Sequence, residues 1–212
     1  MPRVVELMMT VVLLVMLLPL MLVIALVLRV VGGRGVLLRQ ARIGLQGEAF
    51  RMLKFRTMRR DAEEMLERHL AENPGARKEW EEHQMLTDDP RVLGRFAATL
   101  RRHSLDELPQ LFNVLRGEMS LVGPRPLTPE HALALDERTD RIRRRVRPGM
   151  TGLWQISGRD RLPLAERWRL DREYVESRSL IGDLRILVGT VMEVVRPGGT
   201  RTSLSPRTSA QG

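Results

Sequence analysis

The sequence predicts an α+β protein that is mostly helical: an apolar amino-terminal membrane segment, then a compact, charge-rich body with one short β-hairpin. Three observations lead there. Leu7 to Leu28 carries no charge, the rest of the chain repeats helical apolar periods between Pro and Gly breaks, and only Val36 to Leu38 and Phe50 to Phe55 have strand character. At 212 residues and 43% hydrophobic content, the chain holds one ordinary domain besides the anchor.

The apolar segment would extend about 33 Å as a straight helix, enough for a hydrocarbon core of about 30 Å. It is too long for a signal peptide, and no small-residue cleavage site follows it. Arg29, Arg34, Arg39 and Arg42 follow the segment against Arg3 alone before it, which puts the body on the cytoplasmic side. Pro19 interrupts the middle, where it removes a helical hydrogen bond. Two topologies are open: a kinked spanning helix, which composition favours, or a helix that turns at Pro19 and returns to the face it entered.

Gly44 and Gly47 mark the turn between the two strand segments. Helical periods then cover Asp61 to Glu72, Ala76 to Leu86 and Val92 to Arg102, the first two with heavily charged, solvated sides. Ser104 opens S-L-D-E, a capping-box pattern pairing Ser104 with Glu107, although Pro109 suits a helix starting nearer Asp106. Further helices are expected at Pro129 to Arg145, Pro163 to Ser177 and Ser179 to Val195, the last buried or interfacial. Gly198 to Gly212 reads as a disordered polar tail.

Net charge is +9, and with Lys54 and Lys78 the only lysines, the basicity is arginine. A basic body beside an anchor suits anionic head groups or phosphorylated substrates. The absence of cysteine excludes disulfides, thiolate zinc sites and cysteine nucleophiles. Aromatics at 4% leave few platforms for stacking bases, so nucleic acid is not an expected partner.

The densest chemistry lies between Arg101 and Pro126. Asp106 and Glu107 stand together at a helix amino terminus, where acidic residues are ordinary dipole partners but also stay ionised, as a nucleophile or a hard-metal ligand must. Arg101 and Arg102 precede them, and Arg125 follows between Pro124 and Pro126, which fix its backbone and lower the entropy lost in gripping a phosphate. His103 is a weaker neighbour.

Four blocks resemble the bacterial sugar transferase family, the monotopic polyprenyl-phosphate phosphoglycosyl transferases, and within it the undecaprenyl-phosphate hexose-1-phosphate transferases. They are K-F-R-T-M at Lys54 to Met58, S-L-D-E-L-P-Q-L-F-N-V-L-R-G-E-M-S-L-V-G-P-R-P at Ser104 to Pro126, R-P-G-M-T-G-L-W-Q-I-S-G-R at Arg147 to Arg159, and D-R-E-Y-V at Asp171 to Val175. The resemblance implies transfer of a sugar 1-phosphate from a nucleoside (uridine) diphosphate sugar to a polyprenyl phosphate. Asp106 would be the nucleophile, forming an aspartyl-phosphosugar, and Glu107 its partner, with Mg²⁺ on both. Arg125 would bind phosphate, Arg101 and Gln110 would line the site, Lys54 and Arg56 would flank the hairpin, and Arg147 would lie on the nucleotide side. Trp154 is open between core packing and the site, as is Tyr174.

The resemblance also implies a re-entrant helix kinked at Pro19 as the anchor (1–31), a catalytic domain (32–197) with interfacial helices, and a tail (198–212). Its partners would be nucleotide sugar, polyprenyl phosphate and membrane lipid, with a homo-oligomer allowed, at the cytoplasmic face of a bacterial plasma membrane. The charged stretch Asp61 to Asp89 is similar to the longer insert of hexose-type members. A membrane-anchored basic protein that binds anionic lipid or nucleic acid without catalysis is the alternative.

Overall fold

The computed structural model describes residues 1–83 and 86–196 of the chain. The tail expected from Gly198 onward lies outside the described residues. Helix α1 spans Arg3–Val31 and runs on through Pro19, with 29 residues and one long apolar surface. By length and composition it is able to cross a membrane.

Strands β1 (Leu37–Ile43) and β2 (Ala49–Phe55) form the expected hairpin, antiparallel from Leu37 opposite Phe55 to Ile43 opposite Ala49. The first strand runs further than its apolar residues suggest, because Arg39 and Gln40 still pair with β2. Gln46 and Gly47 both take positive φ in the connecting turn. Helices α2 (Ala62–Glu72) and α3 (Pro74–His83) follow, then α4 (Gly94–Arg102). A 3₁₀ turn at Leu105–Glu107 leads into α5 (Gln110–Leu115), with Pro109 at its start.

The expected capping box does not form. Ser104 sits in the left-handed region at φ 55°, so its side chain cannot reach back to the next turn, and its hydroxyl accepts from Arg159 instead. The single helix expected over Pro129 to Arg145 is two, α6 (Pro129–Leu133) and α7 (Glu137–Arg143). Asp136 breaks it by accepting a hydrogen bond from the Thr139 N–H at 2.9 Å, a new amino-terminal cap. Strands β3 (Ser120–Val122) and β4 (Gly149–Thr151) pair in parallel, too short to give a periodic signal. The chain closes with α8 (Leu153–Ser157), α9 (Leu164–Ser177) and α10 (Leu180–Val195).

Two apolar clusters hold these elements. One joins Met52, Leu111, Val114, Met119, Leu121, Ile156, Tyr174 and Ile186, so β2, α5, β3, α8, α9 and α10 share a core. The other joins Met21, Ile24 and Leu28 of α1 with Phe55 and Leu100. Asn113 of α5, wholly buried, substitutes for a missing strand beside β2: its Oδ1 accepts from the Leu53 N–H at 2.9 Å, and its Nδ2 donates to the Arg51 carbonyl at 2.8 Å.

The amino-terminal end of α1 is held by polar contacts as well. The Met1 ammonium lies 2.5 Å from Asp183. Arg3 donates to Glu6 at 2.7 Å and to the Met119 carbonyl at 3.1 Å. Buried Glu6 accepts from the Leu121 N–H at 2.7 Å and from the Ser120 hydroxyl. The opposite surface of α1 exposes Val4, Met8, Val15, Leu22 and Val30, and α10 exposes Ile181, Leu184, Val188, Val191 and Val195 at helical spacing.

Candidate active site

A cavity of about 890 Å³ opens where the hairpin, the 3₁₀ turn, the loop after β3, and helices α8 and α9 converge. All but α8, which contributes Trp154 and Gln155, bring a charged side chain to it. Lys54 comes from β2, whose pleat sends it opposite to buried Leu53 and Phe55. Asp106 and Glu107 come from the 3₁₀ turn that the left-handed Ser104 starts. Arg159 secures that turn from across the cavity, donating to the Arg102 carbonyl at 3.1 Å, the Arg101 carbonyl at 3.3 Å and the Ser104 hydroxyl. It thereby satisfies the Arg102 carbonyl at the end of α4 and shares the Arg101 carbonyl with the Ser104 N–H.

Arg125 is presented by the turn leaving β3. A Cβ on Gly149 would lie 2.1 Å from the Gly123 backbone nitrogen, so glycine alone permits β4 to approach this turn. The Arg125 guanidinium lies 5.7 Å from the Trp154 ring centre, and Arg167 lies 5.2 Å from the same ring. Glu79, Thr87 and Asp88 of the charged insert form a further wall.

Glu107 and Asp106 are treated differently by this setting. Glu107 Oε1 accepts from Lys54 Nζ at 2.6 Å and from Arg125 Nη2 at 2.9 Å. Burial works against its charge, but the Arg125 guanidinium and the Lys54 ammonium outweigh it and hold the carboxyl well below the usual range. The Asp106 carboxyl, 6% exposed, is raised by burial and by the Glu107 charge, with Lys54, Arg101 and Arg125 pulling back. Burial also lowers Lys54.

The structure therefore brings Asp106, Glu107, Lys54, Arg101 and Arg125 to one cavity. Gln110, Arg56 and Arg147 do not line it. Gln110 is fully buried on α5. Arg56 follows the end of β2 and packs against Gly35. Arg147 is exposed and donates to the Gly117 carbonyl at 2.7 Å. His103 bonds the Val194 carbonyl through its Nδ1 at 2.6 Å, and the Tyr174 hydroxyl donates to Asp183 at 2.8 Å, so both tie elements together. Sequence reasoning missed Arg161 and Arg167, which line the cavity, and Arg159 as more than the end of a block.

A carboxylate with no hydrogen bond among the described residues, set in a roomy cavity rich in guanidinium groups, can attack or ligate a phosphorylated molecule. Among the described residues no three metal-ligating side chains gather. Two adjacent carboxylates nonetheless suit Mg²⁺, which takes one or two from protein and fills its remaining positions with water and substrate phosphate.

The chain is similar to the exopolysaccharide production protein ExoY of Rhizobium meliloti, at 46% identity over 79% of this chain and 74% of that protein. It is 44% identical to an undecaprenyl-phosphate galactose phosphotransferase of Salmonella typhimurium, over 79% of this chain and 35% of that protein. It is 43% identical to a UDP-galactose-lipid carrier transferase of Erwinia amylovora, over 74% of this chain and 33% of that protein. The chain thus spans about a third of the latter two. Residues 1–197 match the profile of the bacterial sugar transferases, and with these relatives the match shows that the chain belongs to the bacterial sugar transferase family.

Proposed function

We propose that this protein moves a sugar 1-phosphate from a uridine diphosphate sugar to undecaprenyl phosphate at the cytoplasmic face of the plasma membrane, starting a lipid-linked surface glycan. The observation that carries this reading is Asp106: a buried carboxylate with no hydrogen bond among the described residues, beside a Glu107 already committed to Lys54 and Arg125. The names of the Salmonella and Erwinia relatives support lipid-phosphate acceptor and UDP donor, and that of ExoY supports the glycan.

In this reading an Asp106 oxygen attacks the sugar-bearing phosphorus. A phosphorus–oxygen bond of the diphosphate breaks, and uridine monophosphate leaves with the electron pair. An oxygen of the lipid phosphate then attacks the same phosphorus, releasing Asp106 and a polyprenyl diphosphate sugar. Arg125 and Arg101 neutralise the diphosphate, and the Lys54–Glu107–Arg125 network holds the fork of Arg125 toward the cavity. Mg²⁺, held by Asp106 and Glu107 together with substrate phosphates, would neutralise charge on the attacked and departing groups.

The anchor fits this chemistry as a re-entrant helix with Pro19 at its deepest part. Support comes from its two ends: Glu6 is bonded to β3 and Leu28 is packed on Phe55 and Leu100, so both meet the same body. Purified protein supplied with Mg²⁺, undecaprenyl phosphate and a panel of nucleotide sugars tests the function. Release of nucleoside monophosphate dependent on the lipid phosphate is the expected result, and no release with any donor overturns it.

A further inference from the structure

Arg143 and Asp171 lie outside the cavity, yet they meet the backbone of a residue inside it. Arg143, at the end of α7, donates through Nη1 to Asp171 of α9 and through Nη2 to the Arg125 carbonyl. Burial raises the Asp171 carboxyl, and the Arg143 guanidinium pulls back against it. Both side chains are sealed from solvent, at 7% and 2% exposure. Through Arg143 the pair therefore holds the Arg125 carbonyl, while Glu107 and the Trp154 ring hold that residue's guanidinium.

Burying an arginine–carboxylate pair costs desolvation that the mutual attraction seldom exceeds, so such a pair is weak as a stabilising device against apolar packing. What it supplies is geometry. A guanidinium fork bonds two partners in fixed directions. Here it ties α9 to the turn between Pro124 and Pro126, a segment whose side-chain aim sets where a phosphate can sit. Asp171 opens the D-R-E-Y-V block, to which the reaction itself gives no task.

We infer that the Arg143–Asp171 pair is a positioning device for Arg125, fixing its backbone so that its fork meets the phosphates of the donor. The inference rests on the transferase reading for the identity of the donor. Binding of a phosphate probe tests it separately from turnover.

The test is a double-mutant cycle on the full chain in detergent, with inorganic pyrophosphate binding measured by calorimetry and unfolding measured in parallel. Arg143→Lys keeps a charge for Asp171 but has no fork to span both partners. It should weaken pyrophosphate binding by about fivefold in the native background and by less than about twofold in an Arg125→Ala background, as contacting groups that act together do. Its effect on the unfolding midpoint should be the same in both backgrounds. Equal weakening in both, or none in the native background, would make the pair a plain staple between helices and overturn the inference. Failure of the native protein to bind pyrophosphate would also overturn it, by removing Arg125 as a phosphate ligand. If the native protein binds pyrophosphate but releases no nucleoside monophosphate, the transferase reading falls and the cycle still decides the pair. Should Arg143→Lys fail to fold, Arg143→Met combined with Asp171→Asn removes both charges at once and enters the same cycle.

Discussion

Asp106 and Glu107 are adjacent in the chain, yet their protons are held in opposite directions. Lys54 and Arg125 both bond Glu107 Oε1, at 2.6 and 2.9 Å, which keeps that carboxyl ionised to low pH. Asp106 shares the same cations only through space, and burial raises it. Paired titratable groups pushed apart in this way commonly divide the work of a site. In the proposed reaction Glu107 organises the cations and Asp106 is the carboxylate left to react.

In the proposed reaction Asp106, raised by burial above the ordinary 3.8, should set the acid limb of the pH–rate profile. Lys54 is the strongest charge pulling that pKa down. Lys54→Met should move the acid limb of kcat/KM to higher pH, besides lowering its plateau. A profile whose acid limb stays in place while the plateau falls would separate Lys54 from Asp106.

Asp106→Asn should abolish turnover and stabilise the fold at neutral pH. Because the folded-state pKa of Asp106 is raised, the folded protein binds this proton more tightly than the unfolded chain does. The stability tied to that proton is present below the unfolded pKa and is lost as pH rises through the folded one. An amide removes that loss, so the unfolding midpoint of the variant should exceed that of the native protein at pH 7 and converge with it in acid. Retention of more than about a tenth of the native rate would leave under about 1.4 kcal/mol of barrier to the carboxylate and end its assignment as nucleophile.

Arg125→Lys preserves charge and removes the fork that reaches Glu107 with two nitrogens. We expect kcat/KM to fall by about tenfold or more, an effect of the size lost with a charge-assisted bond of about 1.5–3 kcal/mol. Steady-state rates with the preferred nucleotide sugar measure it, and unchanged kinetics would take Arg125 out of the phosphate site.

The parts of this fold that a sequence shows are those with a period or a fixed chemistry. The hairpin, α2, α4, α9 and α10 could be read because apolar spacing and Gly or Pro breaks act locally. The parallel pair β3–β4 could not, since three residues per strand carry no period and the partners are far apart in the chain. The carboxylate pair and Arg125 stood out from their dense setting. Arg159, Arg167 and the Arg143–Asp171 pair did not, because in an arginine-rich chain nothing local marks the few guanidinium groups that fold against the site. Ser104 carried a real but misleading pattern: its spacing from Glu107 suits a cap, while Lys54 and Arg125 offer the Glu107 carboxylate stronger partners.

Glu6 carries a further expectation. In a largely apolar helix it accepts the Leu121 N–H and the Ser120 hydroxyl of β3 and pairs with Arg3. Glu6→Leu is compatible with the helix and with lipid, yet it leaves a buried N–H without a partner. That should cost about 1–3 kcal/mol of stability. Thermal unfolding in detergent reads the loss, and a variant as stable as the native protein would show that the amino-terminal end of α1 is not docked on β3.

The same contacts support the proposed re-entrant topology. A straight span would carry the residues before Leu7 across a hydrocarbon core of about 30 Å, away from the body. Met1, Arg3 and Glu6 instead bond Asp183, Met119 and Leu121, and Leu28 packs on Phe55 at the other end of the helix. Separating them would strand a charged Glu6 in or beyond the bilayer without its partners. The chain has no cysteine, so one introduced at Pro2 and another at Glu63 can each be labelled without background. In intact cells an impermeant maleimide should reach neither, and after the membrane is opened it should reach both. Labelling of position 2 alone in sealed cells would establish a straight span and sink the re-entrant reading. Labelling of position 63 in sealed cells would put the body outside the cell and would count against the proposed cytoplasmic reaction as well.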